Sequence, residues 1–308
     1  MARGSKVWFN GKITAAEDAR ISLFTHGLHY GSGAFEGIRA YKQTSGGGAI
    51  FRLEDHIERL FDSVKIMGFG LPFSKNELVA ACVEACKANH FEECYVRPIV
   101  FVGDEALGVF PGEDPKLNVA VLVWEWGSYL GDRGIQEGAR LKISTYNRPH
   151  PNSVMTKGKI TGQYVTGVMA KQEAKKQGFD EALLLDPEGF LAEGSGENLF
   201  MIKNGVVKTT PLTSVLNGIT RQTVIEYFRH QKIEMVGERF TRDELYCADE
   251  AFMTGTAAEI TPIQSLDGRM IGAGRPGELT KKLQADYQKI VRGELKLPFM
   301  KNWWTPVR

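Results

Sequence analysis

Two closely spaced lysines and a later carboxylate are the side chains best suited to chemistry in this sequence. Lys157 and Lys159 lie in the stretch Thr-Lys-Gly-Lys-Ile-Thr-Gly, and Glu193 begins the stretch Glu-Gly-Ser-Gly-Glu-Asn. A lysine amine can form a Schiff base with the aldehyde of pyridoxal phosphate, and an acid can pair with the cationic nitrogen of its pyridine ring. Lysines in such a loop are more often solvated surface residues, so this interpretation needs support from the rest of the chain.

Two loops of small residues could hold a phosphate group. Gly218-Ile219-Thr220 opens a predicted helix, and residues 254–258, Thr-Gly-Thr-Ala-Ala, form a turn that can expose amides and a hydroxyl. A phosphate needs backbone N–H groups and a cation, and a helix N-terminus supplies such N–H groups. Each loop alone is a common helix entry or turn. Together with the lysine and the carboxylate, they favour a ligand that carries phosphate.

Two arginines interrupt otherwise regular patterns. Arg59 lies off the apolar stripe of a predicted helix and among acidic residues, where a solvated side chain is the ordinary interpretation. Arg97 lies inside an apolar, β-branched strand, where a guanidinium needs either a carboxylate partner or an acidic ligand. The residues alone leave both alternatives open for Arg97.

Other chemistries have weaker patterns. His26 and His29 have no nearby cysteine or third histidine to complete a zinc site, so we expect no metal. Ser195 in Gly-Ser-Gly falls one residue short of the G-x-S-x-G nucleophile elbow of hydrolases. The glycines of residues 31–37 miss the dinucleotide-binding fingerprint.

Composition favours a globular enzyme with a small-molecule partner. The chain has 308 residues, of which 43% are hydrophobic and 24% charged, and its 38 basic and 37 acidic side chains give a net charge of +1. This balance provides no field to attract nucleic acid or an anionic membrane. No apolar run reaches the roughly 18 residues of a membrane span, and the first residues lack the apolar core of a secretion signal. We therefore expect a cytoplasmic protein.

The four cysteines form no C-x-x-C pair. We expect buried free thiols at Cys82, Cys86, Cys94 and Cys247, as in a reducing compartment.

Periodicity predicts an α+β fold of twisted, largely antiparallel sheets with helices outside. Asn10-Gly11 and Asp267-Gly268 are typical of hairpin turns, and Ser74 with Glu77 forms a capping box. The glycine-rich stretch 126–138 is the best candidate for a linker between a domain at 1–125 and one at 139–308. The predicted helices are 53–67, 74–89, 164–177, 218–228 and 279–291. The predicted strands include 95–102, 117–126, 139–146, 181–186, 190–193, 198–202 and 206–209.

A series of ordered motifs resembles one enzyme family along essentially the full chain. The sequence is similar to the fold-type IV (D-amino-acid aminotransferase-like) pyridoxal-phosphate enzymes, and within them to the bacterial branched-chain amino-acid aminotransferases. The matching stretches are HGLHYGSGAFEGIRAY, RLEDHIERL, YVRPIVFVGD, ALGVFP, WEWGSYLG, TKGKITGQY, EGSGENLF, LNGITRQT and MTGTAAEITP. The resemblance implies two domains with the cofactor between them, a small N-terminal domain at 1–125 and a large C-terminal domain at 139–308 that carries the cofactor lysine.

The resemblance also implies roles for individual residues. Lys159 corresponds to the Schiff-base lysine, with Lys157 as its neighbour, and Glu193 would face the pyridine nitrogen. Tyr164 would reach the ring hydroxyl, and Lys159, Glu193 and Tyr164 would be the catalytic residues. The other cofactor-binding positions that it implies are Arg59, Leu216, Gly218, Ile219, Thr220, Gly255 and Thr256.

A second group of residues resembles the family's substrate pocket. Tyr95 and the amides of Thr256 and Ala257 would bind the α-carboxylate, and Arg97 would receive the distal carboxylate of glutamate. The aromatic wall for an aliphatic side chain would include Tyr30, Phe35, Trp126, Tyr129 and Tyr164. The other substrate-binding positions would be Gly37 and Val109, and Tyr30 and Val109 would come from a partner subunit.

The implied reaction is transamination between leucine, isoleucine or valine and 2-oxoglutarate, which gives branched-chain 2-oxo acids and L-glutamate in branched-chain amino-acid biosynthesis. We expect amino acids and 2-oxo acids as small-molecule partners, and a homodimer at minimum, with a hexamer (a trimer of dimers) as the larger alternative. Asn217 and Met155 replace two prolines usual in the family, which bears on loop stiffness. The ranking of substrates and the temperature optimum do not follow from the sequence.

Other functions stay open at this point. Within the same fold, the alternatives are a D-amino-acid or (R)-amine aminotransferase and an aminodeoxychorismate lyase. Outside it, the alternative is a phosphate-ligand binding protein without turnover that uses the same loops.

Overall fold

Where the sequence has a strong local pattern, the structure contains the element that the pattern predicts. Asn10 and Gly11 both have positive φ, 46° and 96°, as a tight Asn-Gly hairpin requires. The apolar stripe predicted as a helix forms one over Leu53–Ile66, and Ser74 and Glu77 make the predicted capping box of the next helix. These predictions are confirmed.

The computed structural model describes residues 2–127 and 131–307, apart from the side chain of Asp132. The helices are α1 (His26–Tyr30), α2 (Leu53–Ile66), α3 (Lys75–Ala88), α4 (Gly131–Gln136), α5 (Tyr164–Lys176), α6 (Ile219–His230), α7 (Arg242–Tyr246) and α8 (Glu278–Val291), with a 3-10 turn at Thr161–Gln163. The strands are β1 (Lys6–Phe9), β2 (Lys12–Ala15), β3 (Gly33–Phe35), β4 (Ile38–Lys42), β5 (Gly48–Phe51), β6 (Cys94–Val102), β7 (Leu117–Trp124), β8 (Ala139–Ile143), β9 (Glu181–Leu185), β10 (Leu191–Gly194), β11 (Asn198–Lys203), β12 (Val206–Thr209), β13 (Met235–Gly237), β14 (Glu250–Gly255), β15 (Glu259–Leu266), β16 (Arg269–Met270) and β17 (Trp304–Val307).

An antiparallel sheet with strand order β17-β5-β4-β6-β7-β1-β2 forms the first compact unit, and β3 also pairs with β6. Helices α2 and α3 bury Leu60 and Leu78 against Ile38 and Val96 of this sheet. Burying each such side chain stabilises the unit by about 1.5–3 kcal/mol. Because side chains alternate along a strand, Arg97 lies on the face of β6 opposite to Val96.

The second compact unit contains a sheet with strand order β10-β9-β8-β15-β14-β11-β12-β13. Neighbouring strands of this sheet are antiparallel, except for the parallel pairs β8–β9, β8–β15 and β12–β13. The predicted α+β pattern of largely antiparallel sheets is therefore confirmed. Strand β10 also pairs with β11, which sets Glu193 directly opposite Asn198. This register places the carboxylate predicted to be functional beside an amide that can donate to it.

Two segments belong to the first compact unit although they are distant from the rest of it along the chain. The first unit comprises Met1–Gly127, Gly158–Gln163 and Lys289–Arg308, and the second comprises Ser128–Lys157 and Tyr164–Gln288. Lys159 therefore belongs to the first unit, and β17 returns to pair with β5 there. The domain limits at 1–125 and 139–308 stay a prediction, and α4 lies within the stretch predicted as a linker.

Three of the four thiols are buried as predicted, at Cys82, Cys86 and Cys94. The prediction is wrong for Cys247, which is exposed because it caps the C-terminal end of the short surface helix α7. Strand β8 ends at Ile143, earlier than predicted. Within the described ranges, no helix has the length and apolarity needed to cross a membrane.

Gly167 lies where α5 packs closely against the turn between β10 and β11. A glycine inside a helix is normally about 1 kcal/mol worse than alanine. A Cβ at Gly167 would lie 2.5 Å from the carbonyl oxygen of Ser195. We predict that Gly167→Ala lowers the free energy of unfolding by about 1–3 kcal/mol through this overlap, which urea unfolding measures. The exposed Gln172→Ala change in the same helix is the control, and a stabilised Gly167→Ala protein would contradict the packing.

Candidate active site

Lys159 is fixed through its backbone by two elements of the first unit. Its N–H donates to Ser63 Oγ of α2 at 2.9 Å, and its carbonyl oxygen accepts from Phe35 N–H of β3 at 3.1 Å. Its ammonium nitrogen lies 5.0 Å from the centre of the Phe35 ring. The following residue, Ile160, bridges to Ala34. Two elements thus fix the backbone of this half-buried residue, and its amine lies over an aromatic face.

Lys157 has a different environment within the second unit. Its side chain is exposed, and its ammonium group donates to the carbonyl oxygen of Val215 at 3.2 Å. The two neighbouring lysines, which the sequence alone does not separate, therefore differ in their surroundings.

Arg59 is not a solvated side chain among acids. Its Nε donates to Glu36 Oε1 at 2.7 Å and its Nη2 to Glu36 Oε2 at 2.8 Å, a bidentate contact. His56 Nδ1 lies 2.7 Å from the same Oε2. The ordinary interpretation of Arg59 is wrong because a carboxylate from the loop after β3 reaches α2, a contact between distant parts of the sequence.

Aromatic rings surround Arg97 on β6. Its guanidinium carbon lies 4.6 Å from the Phe35 ring centre, 5.3 Å from that of Tyr95 and 5.6 Å from that of Trp124. Tyr95 also packs on Trp126, with ring centres 4.9 Å apart. These contacts provide cation–π stabilisation and a flat apolar wall beside one charge.

Arg97 lacks an acidic partner within the ranges 2–127 and 131–307. Its Nη2 donates to Tyr95 Oη at 3.3 Å, whereas its Nε is buried without any hydrogen-bond partner there. The Tyr95 hydroxyl comes so near Gly37 that a Cβ at this position would overlap it. The arrangement can receive an anion, and only glycine fits at position 37.

Glu193 is a buried carboxylate held by three donors of the second unit. Arg148 Nε lies 2.9 Å from Oε1, while Oε2 accepts from Asn198 Nδ2 at 3.1 Å and from Leu216 N–H at 3.2 Å. Asn198 also donates to the Leu216 carbonyl at 2.9 Å. This network fixes the position of the carboxylate and compensates its charge.

The predicted phosphate loops form a helix start and a hairpin turn. Gly218 is the N-cap of α6, and a Cβ there would overlap Asn198 Oδ1, so glycine is required. Ile219 and Thr220 are the first helical residues, whose N–H groups point out of the helix. The loop of residues 256–258 follows β14, and the Thr254 hydroxyl of β14 is buried and has no hydrogen-bond partner among the described residues.

The remaining predicted residues lie in separate places. Tyr164 is the first residue of α5 and is half-buried. Tyr30 is exposed and donates to the Leu107 carbonyl at 2.7 Å, and Val109 is 82% exposed. Tyr129 lies outside the described residues. No group of three metal-ligating side chains occurs in the part of the chain that the structure describes.

Comparison with known proteins identifies the family. The sequence model of the family described as Amino-transferase class IV matches residues 33–266. The chain belongs to the class IV aminotransferases.

Relatives of this class IV aminotransferase are similar along nearly the whole chain. A branched-chain-amino-acid aminotransferase of Pseudomonas aeruginosa is 47% identical over 292 residues, which cover 95% of this chain and 94% of that protein. The crystal structure of the Escherichia coli branched-chain amino acid aminotransferase has a TM-score of 0.96 at 39% identity and covers 99% and 100% of the two chains. That of the T.th. branched-chain enzyme complexed with N-(5'-phosphopyridoxyl)-L-glutamate has a TM-score of 0.94 at 42% identity and covers both chains fully. The resemblance to branched-chain aminotransferases of fold-type IV is confirmed.

Sequence reasoning missed two residues of this aminotransferase that hold predicted site residues, Glu36 and Arg148. Glu36 is the one acidic residue in the glycine- and aromatic-rich stretch 25–41. That signal was available for Glu36 between Phe35 and Gly37. Arg148 follows the end of β8 in an irregular segment, where a charged residue is ordinary.

Three buried carboxylates of the second unit share two basic partners. Glu193 pairs with Arg148, and Glu181 pairs with Lys171, while Glu197 accepts from Gly196 N–H at 3.0 Å. Burial, with repulsion from Glu181 and Glu193, raises the pKa of Glu197 from its ordinary 4.5 to about 8. One acid of the cluster therefore keeps a proton at neutral pH.

The protonated Glu197 gives the stability of this aminotransferase a defined pH dependence. The unfolded chain loses this proton near pH 4.5 and the folded one near pH 8, so this group makes the free energy of unfolding fall as the pH rises between these values. Glutamine stays neutral throughout. We predict that the melting temperature of Glu197→Gln, relative to the wild type, increases from pH 5 to pH 9. A difference that stays constant over this range would contradict a protonated Glu197.

Proposed function

We propose that this chain catalyses pyridoxal-phosphate-dependent transamination between branched-chain L-amino acids and 2-oxoglutarate. The observation that carries the proposal is Arg97, a guanidinium within an aromatic wall whose buried Nε has no partner among the described residues. Apolar rings suit an aliphatic side chain, and the arginine suits a second carboxylate. The relatives' names support the branched-chain substrate, and the L-glutamate adduct of the T.th. enzyme supports the acidic one.

The donor groups of the chain fit the cofactor of this family, pyridoxal 5'-phosphate, one by one. Arg59 and the N-terminus of α6 suit a phosphate dianion, and the unpartnered Thr254 hydroxyl lies beside Gly255 of the second loop. The Glu193 carboxylate, fixed by Arg148, suits a protonated ring nitrogen. Lys159 supplies an amine for the aldehyde. Each functional group of the cofactor therefore has a matching group in this chain.

When bound, pyridoxal phosphate provides an electron-withdrawing ring that stabilises negative charge at the substrate Cα. The Lys159 amine would take the proton from Cα as general base and then, as general acid, deliver it to the cofactor carbon that is bonded to the transferred nitrogen. Glu193 keeps a proton on the ring nitrogen. Tyr164 donates to the ring hydroxyl. Because the Lys159 backbone is fixed by Ser63 and Phe35, its side chain starts from a defined point, which limits the positions that the amine can take for the proton transfer.

The other roles are proposed from the same resemblance. The residues proposed to bind the cofactor, besides Lys159, Tyr164 and Glu193, are Arg59, Leu216, Gly218, Ile219, Thr220, Gly255 and Thr256. The residues proposed to bind the substrate are Tyr30, Phe35, Gly37, Tyr95, Arg97, Val109, Trp126, Tyr129, Thr256 and Ala257.

A second copy of the chain is proposed to cover the exposed apolar residues around Tyr30 and Val109. Both are exposed, and Leu23, Phe24 and Phe110 are exposed as well, at 84%, 60% and 68%. Such an apolar group of residues is unfavourable in water unless another surface covers it. We propose a homodimer at minimum, with a hexamer as the larger alternative, in the cytoplasm.

The two neighbouring lysines provide a matched test of the reactive amine. We predict that Lys159→Ala abolishes both transamination and the visible absorbance of lysine-bound cofactor. Lys157→Ala should keep both, because Lys157 is an exposed residue of the second unit whose ammonium group donates to the Val215 carbonyl oxygen. Absorbance spectra before and after addition of L-leucine measure the outcome. Activity in Lys159→Ala, or its loss only in Lys157→Ala, would refute the assignment.

Replacing Arg97 should impair binding of the acidic substrate much more than reaction with the apolar one. A hydrogen bond to a charged group contributes about 1.5–3 kcal/mol, so Arg97→Met should raise the KM for 2-oxoglutarate about tenfold or more. The rate with L-leucine in a single half-reaction should change much less. Arg140→Met, which breaks the half-buried pair with Asp180, is the control. An equal effect on both substrates would contradict a role of Arg97 in binding the distal carboxylate.

The chirality of the glutamate that the wild-type enzyme forms tests the proposed specificity for L-amino acids.

A further inference from the structure

Glu36 is a carboxylate with no exposed surface, in the short connection between β3 and β4. Moving an ionised carboxylate out of water is costly unless partners compensate its charge and occupy its oxygens. A chain would rarely keep such a group without a structural or functional use.

Four donors surround this carboxylate. Arg59 binds both oxygens, at 2.7 and 2.8 Å, His56 Nδ1 lies 2.7 Å from Oε2, and Gly37 N–H lies 3.3 Å from it. His56 and Arg59 are three residues apart on α2, so they share one face of that helix. Glu36 therefore reaches a single helix face and engages both of its basic groups.

The charges of the group are settled by its surroundings. Although burial alone would raise the pKa of Glu36, Arg59 and His56 hold it well below its usual range, so Glu36 is ionised. Burial lowers the pKa of His56, although Glu36 opposes this, which favours a neutral imidazole that donates from Nδ1. The Glu36 charge offsets that of Arg59. Glu36 therefore orients the Arg59 guanidinium and does not strengthen its attraction for an anion.

The Arg59 guanidinium has N–H donors that do not contact Glu36. The bidentate contact takes two of the five N–H donors of a guanidinium and fixes its plane, so the other donors point elsewhere. The Arg59 side chain is 13% exposed, whereas Glu36 is fully buried. Ser63 donates to the Arg59 carbonyl at 2.7 Å and accepts from Lys159 N–H. One turn of α2 therefore joins Arg59 to the backbone of the lysine proposed to carry the cofactor.

We infer that Glu36 is a positioning residue that aims the Arg59 guanidinium at the phosphate group of the cofactor. The inference rests on the proposed function and names a part of the phosphate site that the sequence patterns did not. A purely structural ion pair would stabilise the unit without distinguishing ligands with and without phosphate.

The test compares two ligands that differ only in the phosphate. Pyridoxal 5'-phosphate and pyridoxal are titrated into the cofactor-free full chain, and binding is measured by absorbance and by thermal shift, independently of turnover. We expect Glu36→Gln to weaken binding of the phosphate form about tenfold or more, as loss of an outer partner does at metal sites, with pyridoxal changed less than about twofold. Glu93→Gln, which alters another Arg–Glu pair of the same unit, with Arg292, should leave the ratio of the two affinities unchanged.

A second variant separates position from charge. Glu36→Asp keeps the negative charge, so it preserves folding if Glu36→Gln does not, but its shorter side chain cannot keep both contacts to Arg59. We expect the same selective loss of the phosphate form. Equal weakening of both ligands would assign Glu36 a structural role, and tighter binding of the phosphate form by Glu36→Gln would show a mere counter-charge; either result overturns the inference. If the wild-type chain bound neither ligand, the proposed function itself would fail.

Discussion

Buried charge is the constraint on which the rest of this structure depends. An ionised group inside a protein must be paired and hydrogen-bonded, and Glu36 and Glu193 each meet this demand with an arginine and further donors. The pairs fix the helix α2 in one unit and the β10–β11 hairpin in the other. Arg97 differs, because its compensation comes from aromatic rings and no carboxylate pairs with it among the described residues. This difference is the basis on which we propose an acidic ligand as the counter-charge of Arg97.

The sequence predicts those parts of the fold that depend on local interactions. The Asn10-Gly11 turn, the α2 stripe and the Ser74 capping box each follow from a few neighbouring residues, and all three form. The pairing of β17 with β5 and the placement of residues 158–163 in the first unit depend on contacts between distant segments. No local pattern encodes such contacts, which is why the sequence left them open.

The site divides in the same way. Residue chemistry alone suggests a lysine, a carboxylate and two phosphate loops, and only the family resemblance separates Lys159 from Lys157. The residues left ambiguous or unnoticed, Arg97, Glu36 and Arg148, act through side chains far away in sequence. Their partners follow from strand register and helix packing. A charged residue inside an apolar stretch is the one sequence signal that would have drawn attention to Glu36.

The proposed function requires that Lys159, and not its exposed neighbour Lys157, carries the cofactor. Borohydride reduction of the purified protein with pyridoxal phosphate makes the link between cofactor and lysine permanent, and mass spectrometry of the digested chain then locates it. We expect a phosphopyridoxyl group on Lys159 alone. A label on Lys157, or a label spread over surface lysines with none at Lys159, would contradict it.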